Sequence, residues 1–150
     1  MSGEPHPPRL GGILEAAIYG PDLAALERFY ADVLGMQPVA RTEGRNTVMR
    51  CGHSVAILFD PAVSGQAGGT IPHHGARGPG HVAFVTADAD VDRWRAWFAT
   101  RGVAIEREID WPAAGTSLYV RDPAGNSIEI APASLWDGIG TPLIDGPPDG

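Results

Sequence analysis

Cysteine, long apolar runs and positive charge are all scarce in this chain. Cys51 is the single cysteine among 150 residues, so no disulfide can form within one chain, and a reducing compartment is compatible with the composition. No apolar run reaches the ~20 residues that a bilayer-spanning helix needs. Lysine and arginine number 11 against 18 acidic residues, and the formal net charge of −7 repels phosphate backbones. We therefore expect neither nucleic acid nor a membrane as a partner.

A secretory signal is also missing from the start of the chain. Residues 1–12 are rich in proline and glycine and contain neither a basic segment nor an apolar core of the kind that signal peptides carry. We predict a flexible tail there and a cytoplasmic protein. The remainder suits one globular domain, because 150 residues with a 43% hydrophobic fraction can bury a sizeable core.

What the chain does contain is an internal repeat. His81 follows Glu15 by 81 − 15 = 66 residues, and Gly102 follows Gly35 by 102 − 35 = 67. Offsets this similar indicate two tandem copies of one unit, each with the order β-α-β-β-β, and hence an α+β fold. Asp22 is the predicted N-cap of the first helix, and Gly35 and Gly102 are the predicted ends of the two helices.

Hydrophobic periodicity and turn residues set the predicted boundaries. The single domain covers 13–132, with module one at 13–61, a linker at 62–79, module two at 80–132 and a C-terminal tail at 133–150. The first module has a strand at 13–19, a helix at 23–34 and strands at 37–41, 46–51 and 54–59. The second has a strand at 80–86, a helix at 91–100 and strands at 103–109, 117–120 and 126–131.

Three ionisable side chains stand within these otherwise apolar strands: Glu15, His81 and Glu129. Each is costly to bury unless something pairs with it. A divalent cation would neutralise two carboxylates and bind a neutral imidazole, and three protein ligands leave positions open for water and substrate. Taken singly, each residue also fits a structural role, because a strand histidine is often a hydrogen-bonded core residue and a strand carboxylate can face solvent. The matching positions of Glu15 and His81 in the repeat favour a shared metal site.

The fourth equivalent position is apolar, because the counterpart of Glu129 in module one is Leu58 or, with a one-residue slip, Ile57. Six further polar side chains have a structural and a functional interpretation. His73 and His74 could line the entrance to the site or simply be solvated, Tyr19 and Tyr119 could pack or point into it, and Arg50 and Arg121 could bind an anionic substrate.

Four segments together resemble the vicinal oxygen chelate superfamily, which includes glyoxalases, extradiol ring-cleaving dioxygenases, fosfomycin-resistance enzymes, acyl-CoA epimerases and bleomycin-binding proteins. The resemblance covers residues 13 to about 132. The segments are Tyr19-Gly20-Pro21-Asp22-Leu23, Phe29-Tyr30-Ala31-Asp32-Val33-Leu34-Gly35-Met36, Gly80-His81-Val82-Ala83-Phe84 and Arg121-Asp122-Pro123-Ala124-Gly125-Asn126-Ser127-Ile128-Glu129.

The resemblance implies two paired βαβββ modules that form a cupped mixed sheet with a metal on the concave side. The family's first-strand ligand, commonly His, falls on Glu15, the ligand of the second module's first strand on His81, and the last-strand carboxylate on Glu129. The fourth ligand that glyoxalases use has no counterpart here. A homodimer is expected from the same resemblance.

The expected function is that of a divalent-metal-dependent lyase or isomerase, which acts on a small substrate with adjacent oxygens through a metal-stabilised enediolate. The metal could be Zn, Ni, Mn, Fe or Mg. Glu15 or Glu129 could instead leave the metal and act as general base. Two alternatives stay open: an Fe(II) extradiol-type dioxygenase, and a metal-free protein that binds a cationic drug, in the manner of bleomycin resistance proteins.

Overall fold

The computed structural model describes residues 6–139 and shows the two-module repeat. The first module consists of β1 (Glu15–Tyr19), α1 (Leu23–Arg28), β2 (Gln37–Thr42), β3 (Asn46–Cys51) and β4 (Ser54–Phe59), followed by the short helix α2 (Pro61–Ser64). The second consists of β5 (His81–Thr86), α3 (Val91–Thr100), β6 (Arg107–Asp110), β7 (Thr116–Arg121) and β8 (Ser127–Pro132). The predicted tandem βαβββ architecture is confirmed.

Each module forms one four-stranded mixed sheet, with the order β1-β4-β3-β2 in the first and β5-β8-β7-β6 in the second. The first strand of each module runs parallel to the last strand, and the remaining pairs are antiparallel. Within residues 6–139 no strand pairing joins the two sheets. None of the helices in this range is long and apolar enough to cross a membrane.

Side chains alternate between a buried and an open face of each sheet, as strand geometry requires. In the first sheet Ile18, Met49 and Leu58 point to the buried face and join the core. The first open face is the opposite side, which carries Glu15, Ala17 and Tyr19 on β1. The second open face carries His81, Ala83 and Val85 on β5, all exposed. Glu15, Tyr19 and His81 therefore lie on open faces rather than in the core.

The first helix begins and ends as its sequence predicts. Asp22 caps it by accepting a hydrogen bond from the backbone N–H of Ala25 at 3.0 Å. After Arg28 the helix continues as a π-helical segment, Phe29–Val33, whose wider turn keeps Phe29, Tyr30 and Val33 buried. Gly35 follows in the left-handed region with φ 72°, which glycine adopts without steric cost.

Most strand boundaries agree with the sequence-based ones to within two residues, and two boundaries differ by more. The predicted strand at 103–109 is a strand only over Arg107–Asp110, because Val103 and Ile105 pack against the core without strand pairing. The predicted linker at 62–79 begins inside helix α2, since the Asp60 side chain caps the N–H of Ala62 at 2.9 Å. Of the predicted tails, residues 1–5 and 140–150 lie outside the described part of the chain, and Ala133–Ile139 form a 3-10 helix.

A buried hydrogen bond ties the two modules together. The hydroxyl of Tyr30 donates to Asp122 Oδ2 at 2.8 Å, and both residues are buried. Burial, and then the Asp122 carboxylate, raise the pKa of Tyr30 far above its ordinary value, so the phenol keeps its proton. Asp122 also accepts from Asn126, whose side-chain amide donates in turn to the backbone carbonyl of Tyr19. This network holds β1 beside the turn that precedes β8.

We expect Tyr30→Phe to lower the free energy of unfolding by about 1.5–3 kcal/mol, because it removes a hydrogen bond to a charged group in the core. Urea denaturation measures the change. Tyr19→Phe is the matched control: it removes a half-buried hydroxyl and should cost less. Equal stability of Tyr30→Phe and the unchanged protein would contradict a stabilising role for this bond.

Candidate functional site

His81 is held at the start of β5 by a hydrogen bond from its own ring. Its Nδ1 lies 3.0 Å from the backbone carbonyl oxygen of Ser127, its register partner on β8. A carbonyl can only accept, so Nδ1 carries the hydrogen and donates. The neutral ring then keeps its lone pair on Nε2, and the ring orientation is fixed. This is the way in which metal-binding histidines are commonly oriented.

Glu129 lies directly in front of that lone pair. It occupies the middle of β8 with only 5% of its surface exposed, and its Oε2 lies 3.3 Å from His81 Nε2. The other oxygen, Oε1, is buried without a hydrogen-bond partner among the described residues. Such an orphaned carboxylate oxygen is costly and calls for a donor or a cation.

Tyr119 completes this pair from the neighbouring strand. It is the register partner of Glu129 on β7, and its ring lies nearly parallel to that of His81, with 6.3 Å between the ring centroids. Burial, followed by the adjacent Glu129 carboxylate, raises the pKa of Tyr119 to about 12. Its hydroxyl therefore remains a proton donor beside Glu129 at neutral pH. From the sequence alone, this tyrosine has both a packing and a functional interpretation.

The electrostatics of the pair fit a bound cation. Because Nδ1 donates to Ser127, a neutral His81 presents a lone pair to a carboxylate, and the two atoms repel each other unless a proton or a cation lies between them. A divalent ion would bind Nε2 and also satisfy the orphaned carboxylate of Glu129. The donor set therefore fits the metal that the resemblance implies, and two of the three predicted ligands come together.

Glu15 lies elsewhere in the chain. It opens β1 on the first open face, opposite Val55 of β4, and it is exposed. Among residues 6–139 no group of three or more His, Cys, Asp or Glu side chains is close enough to hold one metal ion. A single chain thus joins His81 to Glu129 and does not bring Glu15 to them. The three-residue metal site stays a prediction.

The strand register decides which residue occupies the fourth equivalent position. Ala17 pairs with Ile57 as Ala83 pairs with Glu129, so Ile57 is the counterpart of Glu129. Leu58 points to the buried face and is fully inaccessible to solvent. The first open face therefore offers Glu15 but no second carboxylate at the matching position.

Three other predicted polar residues have clear partners: Arg121, His74 and Tyr19. Arg121 forms a salt bridge with Glu106, which precedes β6, at 2.6 Å between Nε and Oε2. His74 hydrogen bonds Tyr19, with 2.6 Å between Nδ1 and the hydroxyl oxygen, while His73 is exposed in the same loop. The contact joins two residues 55 positions apart, and no sequence periodicity indicates it.

The sequence matches the family model of the Glyoxalase/Bleomycin resistance protein/Dioxygenase superfamily over residues 12–130. Among solved structures, lactoylglutathione lyase from Agrobacterium tumefaciens is 42% identical to this chain. It superposes with a TM-score of 0.82 over 87% of this chain and 98% of that one. No curated protein gives a significant match.

Two fosfomycin resistance proteins, both FosX, share the fold at lower identity. The one from Mesorhizobium loti is 19% identical with a TM-score of 0.62, over 88% of this chain and 100% of that one. A variant from Listeria monocytogenes is 16% identical with a TM-score of 0.64, over 85% of this chain and 94% of that one. That variant was crystallised with Mn(II) and 1S,2S-dihydroxypropylphosphonic acid.

Proposed function

The chain belongs to the Glyoxalase/Bleomycin resistance protein/Dioxygenase superfamily, and on that premise we propose that it is a divalent-metal-dependent enzyme with glyoxalase-like lyase or isomerase activity. The observation that carries the proposal is the pair His81 and Glu129, in which an oriented Nε2 lone pair faces a buried carboxylate with one orphaned oxygen. The 42% identity to a lactoylglutathione lyase supports this branch of the family over the oxygenases and the drug-binding proteins.

The proposed metal ligands are His81 Nε2, Glu129 and Glu15. When bound, the metal would supply Lewis-acid polarisation of two adjacent oxygens of a small substrate. Tyr119 keeps its proton, so its hydroxyl can donate to Glu129 or to a substrate oxygen at the same place. Glu15 is the exposed carboxylate of the set, and we assign it the second role of general base, accepting a proton from substrate carbon.

We propose further that Glu15 reaches the site from a second copy of the chain. The first open face is exposed along Glu15 and Ala17, and the second along His81, Ala83 and Val85. The segment before β1 projects three large apolar side chains, with 96% of Leu10, 86% of Ile13 and 76% of Leu14 exposed. Such residues are expected to be covered by a partner. In a symmetric dimer each copy would place its Glu15 beside the other's His81 and Glu129.

The test is metal loading of the full-length protein followed by an activity assay. After chelation, the protein is titrated with Mn(II), Ni(II), Zn(II), Fe(II) and Mg(II), and we expect about one ion per chain. Formation of S-lactoylglutathione from the hemithioacetal of methylglyoxal and glutathione is then followed through the thioester absorbance, and we expect it to depend on the metal. Failure to bind any of the five ions would favour a metal-free binding protein. Oxygen uptake with catechol and Fe(II) would favour a dioxygenase.

A further inference from the structure

A second polar feature lies beside the first open face, in the loop that leads to His81. A cavity of about 450 Å³ is lined by this loop and by helix α2. Its charged and titratable lining residues are His73, His74 and Arg77, and among residues 6–139 no acidic side chain lines it. In a chain with a formal net charge of −7, a cavity whose ionisable groups are all basic is suited to an anion.

His74 is fixed in this cavity by three neighbours. Its backbone N–H donates to the carbonyl oxygen of Ser64 at 2.9 Å. Its ring meets Phe59 edge-on, with 4.6 Å between ring centroids, and its Nδ1 lies 2.6 Å from the Tyr19 hydroxyl oxygen. Burial raises the pKa of Tyr19, so its hydroxyl stays protonated and can donate to Nδ1 or accept from it. When the hydroxyl donates, the hydrogen of a neutral His74 ring is on Nε2, and that nitrogen is a donor.

Backbone donors accompany the side chains. The N–H groups of Gly75, Ala76 and Arg77 donate no hydrogen bond to any other residue in the range 6–139. Consecutive free amides of this kind can surround an oxyanion together with a guanidinium. The His74 ring, the Arg77 guanidinium and these amides are the hydrogen-bond donors that the loop offers.

The cavity is close to the proposed metal centre. Ala76 lines both this cavity and a smaller cleft of about 110 Å³ between β1 and β5, which His81 also lines. Arg77 and His81 are four positions apart in the sequence, so their Cα atoms are at most about 14 Å apart. A small substrate could therefore span both places.

We propose that the cavity at residues 73–77 binds the anionic group of the substrate, a carboxylate or a phosphate. Its role in positioning a substrate rests on the proposed function, whereas anion binding by the loop does not. The loop would then select acidic substrates and orient their other end toward His81 and Glu129.

The test uses metal-free, full-length, ¹⁵N-labelled protein titrated separately with sodium phosphate, sodium acetate and sodium chloride at matched ionic strength. We expect saturable shifts of the Gly75, Ala76 and Arg77 amide signals with at least one of the two oxyanions and not with chloride. Phosphate alone would identify a phosphate site, and acetate alone a carboxylate site. Equal shifts with chloride, or none with either oxyanion, would overturn the proposal.

Arg77→Gln should weaken oxyanion binding about fivefold or more, because it removes the guanidinium. Arg28→Gln on α1 is the matched control: it changes the net charge equally at an exposed site and should leave the dissociation constant unchanged. Equal effects of the two variants would show that oxyanion binding depends only on the net charge of the protein, which would contradict a specific site. Metal uptake by the unchanged protein is measured in parallel. If the unchanged protein binds the metal but no oxyanion, this inference alone is refuted; if it binds an oxyanion but no metal, the proposed function alone is refuted.

Discussion

Glu129→Gln should abolish stoichiometric metal binding and leave the fold intact. The amide has nearly the volume of the carboxylate, but it lacks the negative charge that a divalent ion requires. Since His81 Nδ1 donates to Ser127, its Nε2 can accept a hydrogen bond from the new amide group. The variant without metal should therefore be at least as stable as the unchanged protein, in which one Glu129 oxygen is buried without a partner.

The measurements are calorimetric metal titration and thermal denaturation with and without the ion. Metal at one hundred times its dissociation constant should stabilise the unchanged protein by about 2.7 kcal/mol and the variant by nothing measurable. Glu43→Gln, in an exposed turn, makes the same chemical change away from the site and should behave like the unchanged protein. If Glu129→Gln still took up one ion with similar affinity, the metal would have to lie elsewhere.

The fold and the pairing of His81 with Glu129 follow from the alternation of side chains along the strands and from the internal sequence repeat. The alternation in β5 and β8 places His81 and Glu129 on one face, and the parallel register of these strands then brings them together. The helix caps at Asp22 and Gly35 were predictable because each depends on one residue and its immediate neighbours. Helix caps and the alternation of side chains along a strand depend on residues that are close in sequence, so sequence patterns can predict them.

Contacts that depend on how separate segments pack were not predictable in the same way. The alternation of side chains along β1 assigns Glu15 to one face of the first sheet. It does not show which sheet, or which copy of the chain, packs against that face. The Tyr19 and His74 contact depends on the path of an aperiodic loop. The pairing of Tyr119 with Glu129 required the β7 and β8 register, which the turn at residues 121–126 determines only to within a residue or two.

A heterodimer of one Glu15→Gln chain and one Glu129→Gln chain should regain a single working site. Each homodimer of these variants should bind no metal, because every site in it lacks one carboxylate. If Glu15 comes from the second copy, the heterodimer has one site that lacks both carboxylates and one that keeps both. Purification of the heterodimer through two different affinity tags, followed by metal analysis, should give about one ion per pair of chains, with about half of the unchanged dimer's activity.

The matched control combines Glu129→Gln with His81→Gln. These two residues lie in the same module and contact each other, so every site of that heterodimer carries one of the two changes and none should bind metal. A site built within one chain would leave the first heterodimer empty as well, because each of its chains carries one defect. Recovery in the first pair and not in the second would therefore place Glu15 opposite His81 and Glu129 across a dimer interface. Only a site that two copies share gives both results.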